Sequence, residues 1–207
     1  ASLIVLSTLL LLGALFAHDF SLDYVAHYTS PRLPPSYSFT ALWAGNDGSL
    51  LFWSAILCGY IFWVWGATKR EPGPVLPAAW GILSVILGFF AWLILIHANP
   101  WRILPVPAVE GMGMNPQLQN PAMMYHPPTL YMGYVGMSVP FAFAFGALLY
   151  SRLDARWIRL ARRWTLTAWF FLAAGNLMGA WWAYDTLGWG GYWAWDPVEN
   201  AAFMPLL

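Results

Sequence analysis

Imidazoles and a dense group of indole rings are the side chains of this sequence best suited to chemistry. The stretch WGGYWAWDPVEN runs from Trp189 to Asn200; with Trp181 and Trp182 it brings five of the 15 tryptophans within fifteen residues. Gly188, Gly190 and Gly191 separate the rings, and glycine lets a backbone turn sharply and approach a ligand closely. Such a surface suits a large, planar, apolar ligand with polar edges, because ring faces reward stacking and indole N–H groups can meet acidic edges. Haem is a ligand of that kind. The competing assignment is a belt of interfacial tryptophans; ring density and glycine spacing favour a binding platform.

Haem iron needs axial ligands, most often imidazole, and the chain offers His18, His27, His97 and His126. His18 and His27 fall in a polar loop, where a solvated or hydrogen-bonded histidine is the default. His97 closes an apolar run and fits an interfacial residue or a distal neighbour of a ligand. His126 stands in YHPPTLYMGYVG, where Pro127 is expected at the first helical position. A ligating histidine needs a fixed orientation of that kind; spacing leaves ligation and capping equally open. The acids of the aromatic stretch read differently. Asp196, Pro197 and Glu199 have the spacing of an N-cap, a proline at N1 and an acid at N3, which favours capping over proton transfer.

The chain is 60% hydrophobic and 9% charged, against roughly 25% charged in a soluble domain. A formal net charge of zero argues against nucleic acid, which needs clustered cations. The single cysteine, Cys58, lies in an apolar run and offers neither a disulfide framework nor a CxxC pair. The first run lacks a basic n-region and has Leu15 three residues before a candidate cleavage point, so a truncated spanning helix is expected rather than a signal peptide. The whole reads as a single transmembrane domain, residues 1–207, from a longer chain.

A bilayer core of about 30 Å takes about 20 apolar residues of helix. Five runs meet or approach that length: Ala1 to Ala17, Ser49 to Ala67, Pro77 to His97, Thr129 to Tyr150, and Trp164 to Tyr184, with a sixth starting at Ala201. The expected fold is an all-α, polytopic transmembrane helix bundle with an outward Trp-rich loop at residues 185–200. Lys69 and Arg70, and Arg152, Arg156, Arg159, Arg162 and Arg163, mark the inner side by the excess of basic residues in cytoplasmic loops. Gly175 with Gly179, and Gly133 with Gly136, are expected at close helix contacts. Pro140 is expected to kink the fourth span. The proline-rich segment from Asn99 to Pro128 is expected to pack as an irregular layer, its methionines filling gaps or, less economically, binding copper(I).

These stretches resemble the haem-handling superfamily that builds c-type cytochromes and carries the WWD signature. Trp189 to Asn200 is similar to that signature. ALWAGNDGSLLFW (Ala41 to Trp53), NPQLQNPAMMYHPPTLYMGYVGMSVPFAFA (Asn115 to Ala144) and WDPVENAAFMP (Trp195 to Pro205) resemble its CcmF branch of haem lyases. From about Asp19 onward the chain reads as the amino-terminal third of such a protein.

The resemblance implies a bacterial inner-membrane haem lyase component, synthetase-like in forming thioether bonds between haem vinyl groups and the CxxCH thiols of apocytochrome c. It implies transient haem on a periplasmic loop, at Trp189, Gly190, Gly191, Tyr192 and Trp193, continuing through Trp195, Asp196, Pro197, Glu199 and Asn200. Tyr192 stands where the signature often has tryptophan, and a tyrosine still stacks. It further implies a permanent haem b with His126 as one axial ligand and the other beyond Leu207. The implied partners are the periplasmic haem chaperone CcmE, a CcmH-type subunit that handles apocytochrome, apocytochrome c, membrane lipid and a quinol reductant. A lyase dedicated to nitrite reductase cytochromes shares these motifs. The alternatives are a haem delivery or export protein of the CcmC or CcsA type, without a permanent b haem, and an electron-transfer cytochrome b subunit. The latter usually carries paired histidines within its spans, and none of these spans has two.

Overall fold

A computed structural model describes residues 1–70, 73–151, 155–188 and 190–207. Its α-helices are α1 (Ser2–Ala17), α2 (Asp23–Tyr28), α3 (Pro35–Thr40), α4 (Asn46–Thr68), α5 (Val75–Ile96), α6 (Ala122–Gly136), α7 (Ser138–Leu149), α8 (Ala155–Thr186) and α9 (Pro197–Phe203). The only β feature among the described residues is one isolated bridge, Leu22 with Ile103, so the fold is the all-α helical bundle expected. Helices α4 and α5 and the continuous stretch Ala122–Leu149 are each long and apolar enough to cross a membrane. The fifth expected span lies inside α8, whose run is interrupted by tryptophans, threonines and Asn176 and is less apolar than those three. Helix α1 is a shorter apolar helix.

The chain forms two compact units. The first contains residues 1–55 and 89–124. Tyr24 is 5% exposed; its hydroxyl donates to Ala41 O at 2.8 Å and accepts from Gly45 N at 3.1 Å. A Cβ at Gly48 would collide with Leu42 O and the Tyr24 hydroxyl, so this approach to α4 requires glycine. The proline-rich segment is pinned as an extended strap: Leu104 N donates to Ser21 O, Ala108 N to Phe20 O and Met112 N to Ala26 O. Met114 and Met123 are buried packing residues.

The strap ends earlier than expected, because α6 starts at Ala122 and runs through both prolines. Asn120 begins the helix, its side chain accepting from Ala122 N at 2.8 Å and its carbonyl from Met123 N at 2.9 Å. A proline at 127 cannot supply the amide that would bond Met123 O, an omission that ordinarily breaks a helix. Here the Trp43 indole donates to that carbonyl at 3.0 Å, which is how neighbouring groups keep an interrupted membrane helix intact. Trp43→Phe keeps the ring and removes the donor, so it is expected to lower stability by about 1–3 kcal/mol, the range for stranding a buried acceptor. Thermal unfolding in detergent measures the loss.

The second unit contains residues 56–88 and 125–207. Small residues bring α6 and α8 into backbone contact, as expected: a Cβ at Gly133 would overlap the Leu172 backbone, and one at Gly175 would lie 2.7 Å from Leu130 Cα. Tyr60 braces the same helix by donating to Met132 O at 2.7 Å. Buried Trp164 meets Trp63 edge-on, with centroids 4.9 Å apart. The fourth span is interrupted at one residue, between Gly136 and Ser138, where Pro140 has no N–H to offer the carbonyl four residues before it. Asn176 bonds within its own helix, donating to Leu172 O at 2.8 Å.

Candidate functional site: a histidine and an aromatic loop around one cavity

Two turns of α6 and α8 fix the orientation of His126. Its Nδ1 lies 2.9 Å from Gly175 O. A carbonyl can only accept, so Nδ1 carries the proton and Nε2 keeps the lone pair; an imidazole is prepared for a metal in this way. The ring rests on Gly179, where a Cβ would lie 2.5 Å from Cε1 and 3.0 Å from Nδ1. Trp182, one turn further on, meets the imidazole edge-on at 5.6 Å. His126 thus sits in the second turn of a continuous helix, backed by glycine and indole, rather than at the helix start expected from Pro127.

The aromatic loop follows α8. Gly190, at φ 79°, and Trp195, at φ 59°, take left-handed backbone conformations; this is uncommon for a large non-glycine residue. Two hydrogen bonds hold the chain at Trp195: Asn200 Nδ2 donates to Trp195 O at 2.9 Å, and Ala194 N donates to Glu199 Oε2 at 2.8 Å. The expected cap is formed. Asp196 Oδ1 accepts from Glu199 N at 2.7 Å, Glu199 Oε2 accepts from Asp196 N at 3.4 Å, and Pro197 occupies the first turn of α9. Tyr192 stacks on Tyr184 with centroids 4.6 Å apart and planes 8° apart. Trp193 packs edge-on against Trp195 and Phe203. Trp189 and Arg152 lie outside the described residues, and Gly191 is a half-buried residue of the loop backbone.

Histidine and loop face a common space. A cavity of about 200 Å³ is lined by His126, Asn176 and Gly179 from the helices and by Trp193, Asp196 and Glu199 from the loop. It is smaller than the roughly 300–1,000 Å³ that encloses a drug-sized ligand. Trp193 brings to the lining an indole Nε1 that is buried without a hydrogen-bond partner among the described residues, a state that Trp182 beside His126 shares with Trp80 and Trp164 elsewhere in the helices. Trp195 is 69% exposed and Tyr192 55%, leaving flat faces open beside the cavity.

The other three histidines belong to the first unit. His27 Nδ1 lies 2.9 Å from Asp23 O and 3.0 Å from its Oδ1, the hydrogen-bonded state expected of it. His18 caps α1 in a left-handed conformation, and His97 meets Trp92 edge-on at the end of α5. Gly179, read from the sequence as a packing residue alone, is a site residue, and Trp182, read there as one ring of the cluster, is the one that meets His126. Their signal is the i, i+3 and i+4 spacing of Gly175, Gly179 and Trp182, which shares one face of α8.

Residues 43–207 match the family described as "Cytochrome C assembly protein". The chain is 48% identical to the cytochrome c-type biogenesis protein CcmF of Pseudomonas aeruginosa over 94% of its length, and 46% identical to that of Escherichia coli over 96%. It spans 30% and 31% of those two relatives. Among solved structures it is similar to a "Cytochrome c Heme Lyase CcmF", with a TM-score of 0.80 and 36% identity over 98% of this chain and 32% of that one.

Proposed function

The chain belongs to the cytochrome c assembly protein family, and from that premise we propose that it forms the haem-receiving part of a cytochrome c haem lyase. The observation that carries this reading is the cavity shared by His126 and the loop residues Trp193, Asp196 and Glu199. His126 Nε2 would hold the haem iron, the rings of Trp193, Trp195 and Tyr192 would offer flat support to the porphyrin, and the indole N–H groups of Trp193 and of Trp182 beside the histidine would be donors for its carboxylates. Haem brings the vinyl groups that become thioethers on the CxxCH thiols of apocytochrome c; this chain orients the porphyrin, a contribution that can itself be a large share of a rate enhancement. Gly190, Gly191, Pro197 and Asn200 complete the loop as spacers and backbone supports.

The basic residues support an outward loop. Lys69 and Arg70 follow α4, and Arg156, Arg159, Arg162 and Arg163 open α8, so by the positive-inside rule those ends are cytoplasmic and the start of α9 faces the periplasm of a bacterial inner membrane. The chaperone CcmE as haem donor, a CcmH-type subunit and a quinol reductant are the partners that go with this role. The resemblance gave His126 a permanent haem b separate from the haem on the loop; the shared cavity favours one haem meeting both.

The test is the dithionite-reduced absorption spectrum of the full-length protein purified from haem-replete membranes. A haem band, with hemin uptake restoring it after extraction, is the expected result. Protein that neither retains haem nor takes up hemin would falsify the lyase reading and leave a transient delivery role of the CcmC or CcsA kind.

A further inference from the structure

At the opposite end of α8 from the histidine, an apolar groove of about 410 Å³ opens between α7 and α8, lined by Phe141 and Ala144 of α7 and by Ile158, Ala161, Arg162 and Leu166 of α8. Its floor is low because Ala144 and Ala161 add little bulk. Its walls are open: Phe141, Ile158 and Leu166 are 52–57% exposed. Arg159 lies one turn before Arg162 and on a neighbouring flank. Both are exposed, and among the described residues neither pairs with a carboxylate. Helical side chains lean toward the N-terminus, which carries both guanidinium groups away from the apolar run and toward the charged end of α8.

A hydrocarbon gutter lined by one guanidinium, with a second one turn nearer the helix start, is complementary to one class of molecule in a membrane. We propose that this groove binds an anionic phospholipid of the arginine-rich, cytoplasmic leaflet, with an acyl chain along Phe141, Ala144 and Leu166 and the phosphodiester on Arg162 and Arg159. Orienting the protein requires only that the arginines be present; it does not require a groove beside them. The neighbouring flank of α8, from which Arg159 reaches toward Arg162, makes the contrast. There Arg156, Arg159 and Arg163 surround Leu160 about a hollow of about 260 Å³ with no second apolar wall, so it offers charge without a place for a chain. A zwitterionic headgroup would bring its own cation against Arg162 and gain less.

The test uses full-length protein stripped of lipid in neutral detergent and titrated with dioctanoyl phosphatidylglycerol, dioctanoyl phosphatidylcholine or inorganic phosphate, with binding read by native mass spectrometry. Phosphatidylglycerol is expected to bind more tightly than phosphatidylcholine, and inorganic phosphate not to saturate. Arg159→Gln with Arg162→Gln is expected to weaken phosphatidylglycerol by about 25-fold, roughly fivefold per arginine, and Ala144→Phe, which fills the groove, to weaken both lipids alike. Equal affinity for the two lipids, phosphate binding as tight as phosphatidylglycerol, or unchanged affinity in the double variant each overturns the proposal. The comparison of lipids on the unaltered protein decides the matter even where a variant fails to fold.

Discussion

His126→Ala is expected to abolish the haem band of the purified full-length protein, and Gly179→Ala to weaken haem binding by about 10–100-fold without removing the imidazole. The first expectation follows from the chemistry: iron loses the nitrogen donor that lines the cavity, and no second histidine shares that lining. The second follows from geometry. A Cβ at residue 179 would lie 2.5 Å from His126 Cε1, far inside van der Waals contact, and the ring is freer to move than the helix backbone. Rotation breaks the bond from Nδ1 to Gly175 O, which fixes the tautomer and aim of Nε2. Loss of such an orienting partner typically costs that factor in metal affinity. Hemin titration followed in the Soret region separates the two variants. Wild-type affinity in Gly179→Ala would mean that the imidazole is not held by this cradle when haem binds.

Much of this arrangement is written locally in the sequence. Apolar runs give α4 and α5 to within a few residues, and the capping box at Asp196 and Glu199 is a three-residue spacing that forms as read. Small residues at 133, 175 and 179 correctly mark where helices touch. What escapes a local reading depends on partners distant in the chain. The two prolines at 127 and 128 look like a helix start, since each lacks an amide; the helix nevertheless begins at Ala122 because Trp43, 80 residues earlier, takes up the stranded Met123 carbonyl. The role of Gly179 is hidden for the same reason. A GxxxG pattern announces close packing, but only the fold reveals that the object packed on its second glycine is an imidazole. The arginines before the fifth span read as a loop, yet from Ala155 onward they ride on α8 itself, because a long side chain can snorkel from a helix as easily as from a turn.

Trp193→Ala combined with Trp195→Ala is expected to lower haem retention as severely as the loss of His126. If histidine and loop served different haems, as the resemblance alone suggested, the double variant would keep a haem band that His126→Ala loses. The cavity predicts a common fate, because Trp193 and His126 line the same space. Two rings are removed at once: Trp193, whose buried indole nitrogen has no partner among the described residues, and Trp195, 69% exposed in a left-handed conformation. Holding a large, exposed indole at positive φ opposes ordinary backbone preference by about 1–3 kcal/mol. The Asn200 and Glu199 hydrogen bonds around it supply the restraint, so the loop presents this ring outward rather than folding it away. The cap can form without tryptophan, since Asp196 and Glu199 bond through side chains and main-chain amides alone, and α9 should survive the double change. Reduced spectra of His126→Ala, the tryptophan double variant and the triple combination therefore separate the two arrangements. Equal losses in all three indicate one haem between histidine and loop, whereas a band that persists without the tryptophans assigns His126 a haem of its own.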